Sequence, residues 1–185
     1  MHDHLEHIIA LLERTPGALD ELLRGLPPEW TDAGDGENGW SPREVVAHLS
    51  HAESTDWITH LMQHGESQPF PTFHRAARQD TCKQIPMAEL LDEFAALRAA
   101  SLNKLRVLAP TPADMERCCV HQVLGKVTLA NLLATWAAHD LTHLHQITRV
   151  MAHQVRDSVG PFSRNLGVLR CSAHSDGPDG RNPNS

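Results

Sequence analysis

Long stretches in which leucine, isoleucine and valine recur every three or four positions alternate along the chain with stretches that lose this pattern. Leu5, Ile8, Ile9, Leu12, Leu19, Leu22 and Leu23 share a helical repeat, predicting a first helix over about 3–25, kinked at Pro16-Gly17. In "GLPPEWTDAGDGENG" the periodicity stops and Pro, Gly, Asp and Asn crowd together, which predicts a loop. A second helix is predicted from Ser41 to Gly65. Ser41 as N-cap, Pro42 at the first helical position and Glu44 three after the cap form a capping box, and Gly65 is a natural stop. The segment "ESQPFPTFHRAARQD" reads as a connection, long enough to be functional or mobile. A third helix spans Met87 to Leu108 with Leu90, Leu91, Phe94, Leu97, Leu102, Leu105 and Leu108 as its stripe. "RCCVHQV" suggests a short extended piece with no partner for a sheet, and a fourth helix runs from Thr128 to about His153. "RDSVGPFSRNLGVLR" adds a short terminal helix or docked segment, and the polar, Gly/Pro-rich residues 171–185 predict a disordered tail. The pattern is that of an all-α four-helix bundle over residues 1–170 with a short C-terminal extension. Its loops are long enough for crossover connections.

Three histidines interrupt the apolar faces of two helices. On a wheel of the fourth helix, His143 lies among Leu129, Leu132, Leu133, Trp136, Ile147 and Val150, and His139 sits at the edge of that face. His145 points to the opposite side and His153 lies well away. In the second helix His48 stands beside Val45, Leu49 and Ala52, while His51 turns further toward solvent. A His-x-x-x-His pair on one helix and a third His from another make a three-nitrogen metal site with an open fourth position. The bland alternative is a set of core histidines hydrogen-bonded to carbonyl groups. Spacing does not decide between them, because 14 histidines in 185 residues give about one i, i+4 pair by chance and the chain has two. The other pair, His60 and His64, reads as surface, and His2, His4 and His7 at the terminus receive no role. Asp140 reads equally as a carboxylate orienting a ligand imidazole or as a surface or interface salt bridge, and Trp136 as a cavity wall or as core. No catalytic base is identified.

Composition narrows the function classes. A formal charge of −7, with no basic run, argues against nucleic-acid binding. No apolar run approaches the ~20 residues of a membrane span, and acids near the N-terminus disfavour a secretion signal. The four cysteines contain no C-x-x-C and are expected as reduced thiols, which fits a cytoplasmic location. Tyrosine is absent, so no phenol serves as acid or oxyanion donor.

"WSPREVVAHLSHAE", followed some 90 residues later by "LLATWAAHDLTHLHQI", resembles the DinB-like (DinB/YfiT-like) family of suspected metalloenzymes. The likeness extends from the first helix to about Arg170, including "VGPFSRNLGVLR". It implies a four-helix bundle with crossed-over connections, frequently a homodimer, that holds a divalent metal through three histidines. Those positions fall on His48, His139 and His143, the same three that the wheels select. Where many relatives carry a second His before the last ligand, this chain has Thr142. Three imidazoles suit zinc, nickel or iron. The expected function is a metal-dependent hydrolase acting on a small molecule, or a transferase using a low-molecular-weight thiol. The alternative is a non-catalytic metal- or ligand-binding bundle.

Overall fold

The chain as a computed structural model is described for residues 2–34, 39–71, 73–74, 77–78 and 80–171, with side chains from His4 onward. The tail expected to be disordered lies, apart from Cys171, outside these residues. The first predicted helix is two helices, α1 (His2–Leu12) and α2 (Thr15–Leu23). Pro16 explains the break: it has no N–H to give the carbonyl of Leu12 four residues back, so a continuous helix cannot close there. The loop that follows contains one short helix, α3 (Pro28–Thr31).

The second predicted helix is also divided, into α4 (Pro42–Ser54) and α5 (Trp57–His64). Its start is as expected: Glu44 N–H donates to Ser41 Oγ at 3.3 Å, and Ser41 N–H donates to the Glu44 carboxylate at 2.8 Å. The unexpected break arises from Ser54-Thr55-Asp56. The Ser54 and Thr55 hydroxyls both donate to the His51 carbonyl, and Asp56 re-caps the chain by accepting from Thr59 N–H. These short polar side chains compete with the helical ladder and restart it in a new direction. Gly65, at φ +53°, ends α5 in a conformation that disfavours a side chain.

The third and fourth predicted helices are α6 (Met87–Leu108) and α7 (Leu129–Gln154), the latter capped by Thr128 and Asn131. Between them the single extended piece of the sequence reading is corrected. β1 (Cys118–His121) pairs antiparallel with β2 (Gly125–Thr128), Cys119 opposite Val127 and Val120 opposite Lys126. His121 Nδ1 accepts from the N–H groups of Val123 and Leu124 and so closes the turn. After α7 the chain folds back as 3-10 turns over 156–169, burying Leu169 against the bundle and matching the expected docked segment.

α4 packs on α6 and α7, α1 on α7, α2 on α6 and α5 on α7. The core falls into two apolar clusters. One gathers Ile8, Leu12, Leu61, Leu105, Leu129 and Leu133; the other gathers Leu19, Val45, Leu49, Leu90, Phe94 and Ile147. The stretches that link them along α4, α6 and α7 are polar and buried: His48 and Ser50, Arg98, and Asp140, His143 and Gln146. None of the described helices is long and apolar enough to cross a membrane. No disulfide joins cysteines among the described residues.

Asp56 offers a test of the α4–α5 break. Burial would raise its carboxyl, but hydrogen bonds from Lys104 and Thr59, with the Lys104 charge, hold it below its ordinary value of 3.8. A depressed carboxylate contributes stability above its unfolded pKa and loses it as pH falls through the folded one. Asp56→Ala should therefore cost about 1 kcal/mol near neutrality. Urea denaturation of wild type and variant should show the gap closing once the pH falls below about 4.

Candidate metal centre

His48 projects from the middle of α4, two turns after a capping box that fixes the helix's start, and α7 supplies His139 and His143 one turn apart. The three imidazoles meet. His139 Nε2 lies 3.1 Å from His48 Nε2 and 3.1 Å from His143 Nε2, and one nitrogen from each ring falls within 4.8 Å of the others. His48 and His143 are buried, and His139 is half-buried. Two nitrogens each 2.0–2.1 Å from one tetrahedral ion stand roughly 3.3–3.4 Å apart, so the spacing suits a shared cation. The tautomer suits it too. His143 Nδ1 lies 2.9 Å from Gln146 Oε1, an acceptor, which places the ring proton on Nδ1 and leaves the Nε2 lone pair directed at the other two rings. Among the described residues this is the one group of three or more His, Cys, Asp or Glu side chains so gathered.

Aromatic rings close the site. Trp40, the residue before the α4 cap, has its ring centroid 4.9 Å from that of His48 and lies parallel to His143 at 6.4 Å. Phe73 meets His48 edge-on at 5.5 Å and stacks on His51 at 4.9 Å. The connection read as functional or mobile thus delivers a wall of the centre.

Arg98 is a buried residue that the sequence reading did not single out. The α6 stripe was drawn through Leu97, which is only half-buried; Arg98, one turn from both Phe94 and Leu102, is the buried position. Its five N–H donors all find acceptors. Nε and Nη2 reach Glu53 Oε1, Nη1 and Nη2 grip both Asp140 oxygens at 2.6 and 2.8 Å, and Nη1 also donates to the Leu12 carbonyl at 2.9 Å. That carbonyl is the one Pro16 left without its helical partner. Burial alone would lower the guanidinium's pKa, but the hydrogen bonds and charges of Asp140 and Glu53 outweigh it and shift it upward. Asp140 is fully buried, so the surface salt bridge considered for it is corrected: it holds α7 to α6 through Arg98. Trp136 is neither purely wall nor purely core, since its Nε1–H donates to Glu53 Oε1 at 2.8 Å while its ring lines a cleft.

The cleft opens beside His139, between the α4–α5 break and the facing sides of α6 and α7, and encloses about 750 Å³ including its mouth. Leu105, Leu132, Ile58 and the rings of Trp57 and Trp136 make it largely apolar. The remaining candidates stay outside the centre. His60 and His64 face each other at 4.9 Å with His60 Nε2 beside the Pro69 carbonyl, and exposed His145 lies by Cys171 Sγ. Thr142 bonds back to the Ala138 carbonyl on α7.

The sequence model of the DinB superfamily matches residues 11–147 of the chain. The chain belongs to the DinB superfamily. A relative from Oceanobacillus iheyensis, named a "putative metal-dependent hydrolase", is 27% identical over 139 residues, covering 74% of this chain and 80% of that protein. A second of the same name, from Bacillus mycoides, is 24% identical over 140 residues, with 74% and 79% covered. Among solved structures, YfiT from Bacillus subtilis, described as a "probable metal-dependent hydrolase with an unusual four-helix bundle topology", matches with a TM-score of 0.72 at 19% identity. It covers 83% of this chain and 89% of that one, so the two share the four-helix fold.

Removing one partner from a buried ion pair leaves the others charged and unsolvated, at a cost of roughly 3–5 kcal/mol. Arg98→Met should lower the unfolding free energy by about that amount in urea titrations. A loss within about 0.5 kcal/mol, usual for surface substitutions, would mean that Asp140 and Glu53 do not depend on Arg98.

Proposed function

We propose that this DinB-superfamily chain is a metal-dependent hydrolase of a small-molecule substrate, with His48, His139 and His143 as the ligands of a divalent ion. The observation that carries this reading is the convergence of three Nε2 atoms from two helices beside an open, largely apolar cleft. A divalent ion on three neutral imidazoles keeps its full charge, so it supplies Lewis acidity toward a carbonyl oxygen and lowers the pKa of water.

The chain's own residues prepare that chemistry. Gln146 holds His143 in the tautomer that presents Nε2. Trp40 and Phe73 pack against the imidazoles and reduce their contact with water, which strengthens electrostatics at the centre. The Arg98–Asp140 grip fixes α7 at the residue next to His139, so the half-buried ligand faces the cleft from a rigid element. A substrate in the cleft would lie against His139, Trp136 and Leu132.

Protein purified without chelators or a histidine tag should carry close to one divalent ion per chain by elemental analysis, and His139→Ala should lose it. A panel of small esters and amides should be turned over by wild type and not by His139→Ala; equal residual rates would remove the hydrolase reading. Gln146→Ala should keep the fold and weaken metal affinity by roughly 10–100-fold, as expected for loss of a partner that orients a ligand imidazole.

A further inference from the structure

Glu53 carries more than the ion cluster uses. Its side chain is 2% exposed, and its Oε1 accepts all three available donors: Arg98 Nε, Arg98 Nη2 and Trp136 Nε1. Oε2 is buried and has no hydrogen-bond partner among the described residues. A carboxylate oxygen left so costs several kilocalories unless a donor reaches it. The cluster is also unbalanced, one guanidinium against the two carboxylates of Asp140 and Glu53. Glu53 lines the same cleft as His139, and so does Trp57, whose buried Nε1–H likewise has no partner among the described residues. A ligand seated in this largely apolar cleft therefore lies against two residues that each hold an unsatisfied polar atom, an acceptor on Glu53 and a donor on Trp57.

We propose that the cleft beside His139 selects small carboxamides with an apolar substituent over esters and ketones of the same shape, Glu53 Oε2 receiving the amide N–H. The proposal rests on the hydrolase reading for the meaning of the selection, although the binding itself does not. An amide alone among the simple acyl groups brings an N–H for Glu53 together with a carbonyl oxygen. That oxygen suits both Trp57 Nε1 and a cation held by His139. An ester or ketone would turn an oxygen or a methylene toward Oε2 and leave it buried and unpaired, the kind of mismatch by which buried polar groups reject analogues. A carboxylate ligand would meet the excess negative charge.

Glu53→Gln gives a sharp test, because Arg98 and Trp136 dictate its orientation. Their N–H groups require the amide oxygen at the Oε1 position, which places the Gln N–H₂ where Oε2 was. The spare acceptor becomes a donor while every other bond of the cluster is kept. The probes are N-benzylacetamide, the ester benzyl acetate and the ketone 4-phenylbutan-2-one, which share one shape. Their binding is followed by fluorescence of Trp57 and Trp136 in chelator-treated and in zinc-loaded protein. Wild type should bind the amide about tenfold or more tighter than the ketone and the ester in both forms. Glu53→Gln should abolish or reverse that preference, and Ser101→Phe, which fills the cleft while leaving the bonding groups of Glu53, Arg98 and Trp136 unchanged, should weaken all three probes. No preference in wild type, a preference unchanged in Glu53→Gln, or binding untouched by Ser101→Phe would each overturn the proposal. Metal loading and His139-dependent ester turnover without amide selection would overturn this inference and leave the hydrolase reading standing. Amide selection with no His139-dependent turnover would do the reverse.

Discussion

A single buried guanidinium holds the four arms of this bundle in register. Arg98 on α6 bonds to the last carbonyl of α1, to Glu53 on α4 and to both oxygens of Asp140 on α7. Each partner is where it is for a local reason: Leu12 because Pro16 cannot complete the helix, Glu53 because α4 is about to break, Asp140 because it follows His139 on the inner face of α7. Leucine and phenylalanine would pack such an interior at less electrostatic risk, since a buried ion cluster stabilises only when every charge is matched. The arrangement exchanges that risk for direction. Apolar side chains can slide past one another, whereas five fixed donors admit one alignment of the helices.

The same alignment makes the site. The polar belt lies between two separate apolar clusters, so the imidazoles of α4 and α7 meet in a layer walled by well-packed leucines at either end. His48 is seven residues after the α4 cap Ser41, and the capping box therefore sets where its ring arrives. His139 and His143 flank Asp140, so the bond that anchors α7 also fixes the rings on both sides of it. The break between α4 and α5 then opens the cleft at His139, the one half-buried ring of the three. Protection on one side and access on the other follow from two interruptions of helices that the hydrophobic pattern alone would have continued.

The sequence made the helical architecture legible wherever a periodic face coincided with explicit punctuation. α6 and α7 emerge with their ends nearly in place, and the start of α4 is written in Ser41, Pro42 and Glu44. The helix breaks were less visible. Pro16 announced the first, but Ser54-Thr55-Asp56 reads as polar helix surface until its hydroxyls are seen to bond backward to His51. The hairpin was half seen because "GKVT" is too short and too polar to stand out as a strand. Among site residues, the wheels brought His48, His139 and His143 to one side, and the resemblance agreed with them. Arg98 and Glu53 escaped because charged residues on amphipathic helices are ordinarily solvated, and only the i, i+4 spacing of Phe94, Arg98 and Leu102 hinted otherwise. Trp40 and Phe73 lie in loops, where periodicity says nothing about what a ring will touch.

The centre of this account is that three imidazoles, brought together by a protein framework with its own internal anchor, hold one divalent cation. Anomalous diffraction from crystals of protein grown with zinc or nickel, collected on both sides of the metal's absorption edge, tests that claim most directly. The account predicts one strong peak per chain, about 2.0–2.1 Å from the Nε2 atoms of His48, His139 and His143. A map with its only peaks at His60 and His64 or at the N-terminal histidines, and none among these three rings, would contradict it.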